Sequence, residues 1–319
     1  MNLSPEDLPE KPMPTGADAE PSAEGSPLVW GRAPSSVQAE RSSADTLTQS
    51  ASASLLGASH IPDGQSAEIV PAAPTDPAWD GWDLVGLVVL TMIALFVGVF
   101  TALLVARSWL YPHTALGEIA RVPLVIVAGQ VLAYLLVLAC MYVLVTRERG
   151  RPDFLAAIHW NWPSGTAIAA YVLTGLALSV ALQLLAHFLP IPKELPIDNF
   201  FRTPAEAWAL SILSITLAPL MEELFFRGFL YPVLARSLGL PLAVLVTALG
   251  FAALHGAQLM FSWGPVLVIF LVGLVLTMVR AQQNSVAAGV LIHMAYNGTI
   301  TVAMFAATDG FRHLEKLNQ

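Results

Sequence analysis

Apolar residues fall into long runs only after about residue 80 of this chain. Before that point no apolar period of 2 or 3.6 is visible. Seven runs follow, at about 84–106, 123–145, 165–189, 205–226, 240–260, 265–279 and 285–306. At 1.5 Å per residue most of them are long enough as helices to cross roughly 30 Å of hydrocarbon. The last four are joined by very short loops, which forces antiparallel neighbours and predicts one helical bundle. No internal repeat of the kind that marks an inverted-repeat transporter is present. Trp79 and Trp82 precede the first run as an aromatic pair suited to the headgroup level. The second run ends in TRERGR, where Arg147, Arg149 and Arg151 form a basic cluster. Under the positive-inside rule this loop is cytoplasmic, and so is the N-terminal tail, although Arg107 and Arg121 then lie on the other side.

Composition agrees with the pattern. The chain is 55% hydrophobic and 12% charged, with a mean hydropathy of +0.65, against roughly 45–50% and about 25% in ordinary soluble domains. The expected fold is all-α, a polytopic transmembrane helix bundle of about seven spans behind a disordered N-terminal tail. The predicted organisation is a tail over 1–78, N-terminal transmembrane helices over 79–190, a candidate catalytic bundle over 191–307 and a polar end over 308–319. The tail is rich in Pro, Ser, Ala, Glu and Asp and lacks the apolar surface to offset its ordering entropy. It also lacks the basic and apolar regions of a signal peptide. The formal net charge of −8 sits in that tail, whose first eighty residues carry about −9. The acidity therefore says nothing about a substrate, and nucleic acid is not an expected partner. Membrane lipid is. The single cysteine, Cys140, excludes an internal disulfide framework and a multi-cysteine metal site.

Ionisable residues inside spans are costly, at about 2.5–3.5 kcal/mol each on insertion scales, and mark functional positions. Three groups of them stand out. In LAPLMEELFFRGFLYPVLAR, Glu223 and Arg227 are four apart and meet on one helix face, the acid N-terminal to the base. Glu222 diverges from Glu223 by about 100° and lacks a partner within its helix. It is thus free to act as a general base, unless both acids serve only to hold Arg227 or a cation. In GFAALHGAQ, Phe251 and His255 share a helix face, a spacing that also fits a plain core histidine. In LIHMAYNGTI, His293 and Asn297 are again four apart. Such a pair can offer two hydrogen-bond donors to one oxygen, or simply bridge helices.

Together the groups resemble the CAAX prenyl endopeptidase and bacteriocin-processing (CPBP, or Abi) family of intramembrane proteases. Its signature reads here as Glu222-Glu223-Leu-Phe-Phe-Arg227, Phe251-Ala-Ala-Leu-His255 and His293-Met-Ala-Tyr-Asn297, with every position filled. The resemblance covers about residues 195–307. It implies an endopeptidase in which Glu222 and His255 activate water and His293 and Asn297 stabilise the oxyanion. Glu223, Arg227 and Phe251 would support the site. The implied substrate is a peptide or protein reaching the site from the membrane, lipidated or not. No Ser or Cys nucleophile with a nearby base is evident.

The family is commonly named a metalloprotease, but its site is also described as a metal-independent glutamate site. HExxH is absent. The favoured reading needs no cofactor. Zinc held by Glu222, His255 and His293 with one open position is the alternative. The resemblance further implies an integral membrane protein, of the plasma (inner) membrane in a bacterial source. Rival functions are a non-catalytic scaffold or bacteriocin-immunity protein, and an ion- or proton-coupled transporter.

Overall fold

Asp80 starts the first span. Its carboxylate accepts from the backbone N–H groups of Trp82 and Asp83, and Asp83 accepts in return from the Asp80 N–H. This reciprocal cap satisfies donors that a helix start would otherwise leave open. The structure is a computed structural model, described over residues 76–192 and 195–318. The expected tail lies outside the described residues up to residue 75. Its last three residues are described, and they touch the bundle through Asp76 and Pro77.

Among the described residues the chain is helical with no strand. Seven helical stretches are long and apolar enough to cross a membrane. We label the helices α1 (Gly81–Val105), α2 (Pro123–Val143), α3 (Gly165–Ala186), α4 (Pro204–Ile215), α5 (Leu217–Glu223), α6 (Tyr231–Leu238), α7 (Leu240–Gly256), α8 (Trp263–Gln283) and α9 (Val286–Ala307). The fourth span comprises α4, α5, a π-helical turn at Leu224–Leu230, and α6.

Small residues set the helix crossings. A methyl group at Gly98 of α1 would sit 2.3 Å from the Gly129 carbonyl of α2, so only glycine permits this contact. Close backbone approach of this kind is how membrane helices gain packing without a hydrophobic driving force. Helix α9 lies against α3, α4, α5 and α8, which makes it the centre of the bundle.

The expected spans agree with the helices to within a few residues, with two differences. The fourth was expected to end near 226. It continues to Leu238. Arg227 is buried and bonded instead of ending the span, and Pro232 falls in the first turn of α6, where its missing N–H is tolerated. The second difference is Trp79. It does not join Trp82 at the surface: Trp79 is 1% exposed and Trp82 82%. The Trp79 ring stacks on Phe229 with centroids 4.7 Å apart, and its indole N–H donates to the Phe229 carbonyl.

Candidate active site

The fourth span breaks at Thr216, whose φ of −113° and ψ of −84° are not helical. Thr216 turns its hydroxyl back onto the Ile212 carbonyl at 2.6 Å. The break starts α5 on a new line and brings its last residues, Glu222 and Glu223, towards His255 of α7 and His293 of α9.

Glu223 and Arg227 form the pair their spacing predicts. Nη1 lies 2.8 Å from Oε1, and both side chains are 0% exposed. Arg227 is otherwise satisfied from α8, donating to the Gly273 carbonyl at 2.9 Å and the Thr277 hydroxyl at 3.2 Å. Its guanidinium lies 4.6 Å from the centroid of Phe251. A buried cation with this many partners is held in one orientation. The same Oε1 of Glu223 meets Nδ1 of His293 at 3.0 Å, while Oε2 is buried without a hydrogen-bond partner.

Gly289 of α9 makes this arrangement possible. A Cβ there would stand 2.6 Å from Oε2 of Glu223. The carboxylate cannot swing away without releasing Arg227 or His293. Gly289→Ala is therefore expected to destabilise the protein by about 1–3 kcal/mol, the usual effect of overpacking a filled core. Thermal unfolding in detergent checks this; an unchanged midpoint would show that the carboxylate is not fixed.

Glu222 faces the other way, towards both histidines. Oε1 is 3.8 Å from Nε2 of His255 and Oε2 is 3.7 Å from Nε2 of His293, both beyond direct hydrogen bonding. The side chains of Glu222 and His255 are 16% and 19% exposed, so the place where they meet is reachable. The ring tautomers follow from the other nitrogens. Nδ1 of His255 is 2.9 Å from the Phe251 carbonyl, which can only accept, so Nδ1 carries a proton. In the neutral ring Nε2 then presents a lone pair towards Glu222. His293 repeats the pattern, with Nδ1 on the Glu223 carboxylate. The Phe251 ring sits beside both imidazoles, at centroid distances of 4.8 and 5.7 Å.

Thus Glu222, Glu223, Arg227, Phe251, His255 and His293 come together from three helices, α5, α7 and α9, and the π-helical turn. Asn297 lies one turn along α9 from His293, but its Nδ2 donates to the Ser214 carbonyl at 2.7 Å. It ties α9 to the end of α4 and keeps one amide N–H for another acceptor. Sequence reasoning missed Gly289, Gly273, Thr277 and Ser214. A signal existed for the first, since Gly289 precedes His293 by one helical turn on the same face. Ser214 contributes only a carbonyl, which no residue pattern reveals.

Zinc ligands of the histidine type usually donate their second N–H to a carbonyl or carboxylate, as His255 and His293 do here. The donor types therefore suit a divalent cation. Their spacing does not, because no group of three His, Cys, Asp or Glu side chains among the described residues closes to metal-binding distances.

Residues 204–299 match the family model described as type II CAAX prenyl endopeptidase Rce1-like. That stretch holds α5, α7, α8 and every site residue named above. The chain is also similar to the UPF0177 protein YbdI of Lactococcus lactis subsp. lactis (strain IL1403). The two are 25% identical over 136 residues, which is 43% of this chain and 71% of that protein. No solved structure matches the chain.

Proposed function

Residues 204–299 being Rce1-like, we propose that this integral membrane protein is an endopeptidase that hydrolyses a peptide bond inside the membrane, with water activated by Glu222 and His255. The observation that carries this reading is the pair of 3.7 and 3.8 Å separations between one carboxylate and two imidazole Nε2 atoms. Such gaps are too long for a direct bond and short enough for one water to bridge. A water between Glu222 and His255 gives one hydrogen to the carboxylate and the other to Nε2. Its lone pairs then point outward, towards a bound carbonyl carbon.

In the reaction the water oxygen bonds to that carbon while Glu222 takes the proton, which is general-base catalysis. The carbonyl oxygen becomes an oxyanion. His293, held at Nδ1 by Glu223, and Asn297, through its second amide N–H, stabilise it. The C–N bond then breaks, and the proton held by Glu222 passes to the leaving nitrogen. The products are a carboxylic acid, which then gives its proton to water or to the amine, and an amine. Glu223, Arg227 and Phe251 touch no reacting atom and hold Glu222 and His293 in place.

These steps need no metal, and the described residues do not close around an ion. The substrate class is a membrane-associated peptide or protein, lipidated or not. Two facts support it: the site lies within apolar spans, and residues 204–299 are similar to CAAX prenyl endopeptidases. Cleavage of a membrane-peptide library by the purified protein, with and without chelator, tests the proposal. Activity is expected to persist in chelator to within about twofold. Activity lost in chelator and regained with zinc would transfer the mechanism to a metal at Glu222, His255 and His293. No cleavage of any peptide would sink the protease reading in favour of a binding or immunity role.

A further inference from the structure

The π-helical turn that follows Glu223 leaves a carbonyl without a helical donor. The N–H of Tyr231 bonds five residues back, to the Phe226 carbonyl, and so does not reach Arg227. The next candidate donor is Pro232, which has no N–H. In an apolar environment an open carbonyl is expensive, so another group must supply the donor. Arg280 of α8 does: its Nε lies 3.1 Å from the Arg227 carbonyl. Arg280 is itself buried, and its guanidinium lies 5.5 Å from the centroid of Tyr231.

From Arg280 a chain of polar contacts leads away from the site and back to it. Nη1 of Arg280 donates to Oδ1 of Asn284 at 2.7 Å, and Nδ2 of Asn284 lies 3.1 Å from Nδ1 of His159. Since an amide nitrogen can only donate, His159 carries its proton on Nε2, which reaches Oδ2 of Asp76 at 3.0 Å. The backbone then runs through Pro77 and Trp79, whose carbonyls accept from Arg236 of α6 at 3.0 and 3.3 Å. Trp79 closes the circuit with its indole N–H on the Phe229 carbonyl, 3.0 Å away and buried. Both ends of the circuit thus grip the π-helical turn, at Arg227 and Phe229.

We infer that residues 76–80 form a strap that fixes the π-helical turn behind the candidate active site, with Trp79 and Arg280 as its positioning residues. The geometric reason is register. A π turn accommodates about one extra residue, and its relaxation to an α-helix rotates one flank against the other by about 100°. Such a rotation would carry Arg227 away from Glu223, and the Glu223 carboxylate away from His293. Trp79 and Arg280 prevent it by holding the Phe229 and Arg227 carbonyls of the turn. The strap also places the point where the N-terminal tail joins the bundle in contact with the membrane span that bears both glutamates. As a statement about catalysis the inference rests on the protease reading. As a statement about the turn it does not.

The test uses the full-length protein in lipid nanodiscs. Trp79→Phe keeps the ring stacking on Phe229 and removes the N–H, while Arg236→Gln loosens the strap from the other side. Amide hydrogen exchange is followed in peptides spanning residues 224–238, with peptides from α1 and α2 as internal controls. Both variants are expected to speed exchange in the turn by about tenfold, the change that loss of one buried hydrogen bond brings. The controls should not move. With a cleavable peptide in hand, kcat is expected to fall by a similar factor while KM stays within about twofold. Exchange in 224–238 equal to wild type would overturn the strap, as would a uniform rise across all peptides, which marks general destabilisation. Faster exchange confined to the turn supports the strap even in a protein that cleaves nothing, so its fate and that of the protease reading are separable.

Discussion

Glu222→Gln is expected to lower the rate of peptide cleavage by about 10²–10⁴-fold while leaving the protein folded in the membrane. The size is that of losing a positioned general base. A carboxamide fills the same volume and can still accept a hydrogen bond from water, but it cannot take the proton. Folding should tolerate the change. The nearest imidazole nitrogens to Glu222 stand 3.7 and 3.8 Å away, so no direct hydrogen bond or ion pair is broken. The side chain is also partly open, so no buried charge is stranded. Single-turnover cleavage by wild type and variant, alongside thermal unfolding of both, separates chemistry from stability. A variant within about tenfold of wild type would remove Glu222 from the role of base. A variant that fails to fold would mean that the carboxylate is structural after all. The corresponding loss should not follow from replacing Glu222 with Asp if a bridging water can shift to meet the shorter side chain.

What the sequence made legible were features repeated along one helix. The spans are visible because apolar length is their only requirement, and all seven recur in the structure. The Glu223–Arg227 pair is visible because i and i+4 are neighbours on any helix, and it forms at 2.8 Å. That Glu222 diverges from Glu223 follows from the same geometry. Contacts between helices were not legible. Glu223 and His293 are seventy residues apart, and their 3.0 Å bond depends on how α5 and α9 cross. Asn297 was expected beside His293 as a second donor; the crossing of α9 with the end of α4 gives it the Ser214 carbonyl as a partner first.

Trp79 shows a different limit. Indole suits a headgroup boundary because one edge is apolar and one N–H is polar. The same properties suit a buried position facing an open carbonyl. Residue type could not choose between the two, and the choice was made by Phe229, which offers both a ring and a carbonyl. The π-helical turn was hidden for a related reason. The apolar spacing in LFFRGFL also fits an α-helix, and the wider register shows in the Tyr231 N–H reaching the Phe226 carbonyl.

Arg227→Ala is expected to remove most folded protein, by about 3–5 kcal/mol, because it strands a buried carboxylate. Glu223 would keep only His293, with its second oxygen already unpartnered. The Gly273 carbonyl would lose its arginine donor too. Glu223→Gln works from the other side. It leaves the Arg227 guanidinium buried and uncompensated, although the amide oxygen can still accept from both Arg227 and His293, so the loss should be smaller. Combining Glu223→Gln with Arg227→Met removes both charges and should recover part of the yield, since a buried pair replaced by neutral groups of similar size is often tolerated. The recovered protein should remain inactive, because His293 would have lost the carboxylate that orients it. Folded yield by size-exclusion fluorescence and cleavage by the same preparations give the two readings. Glu223→Gln at normal yield but without activity would place Glu223 in the chemistry, and the division of labour between the adjacent glutamates would have to be redrawn.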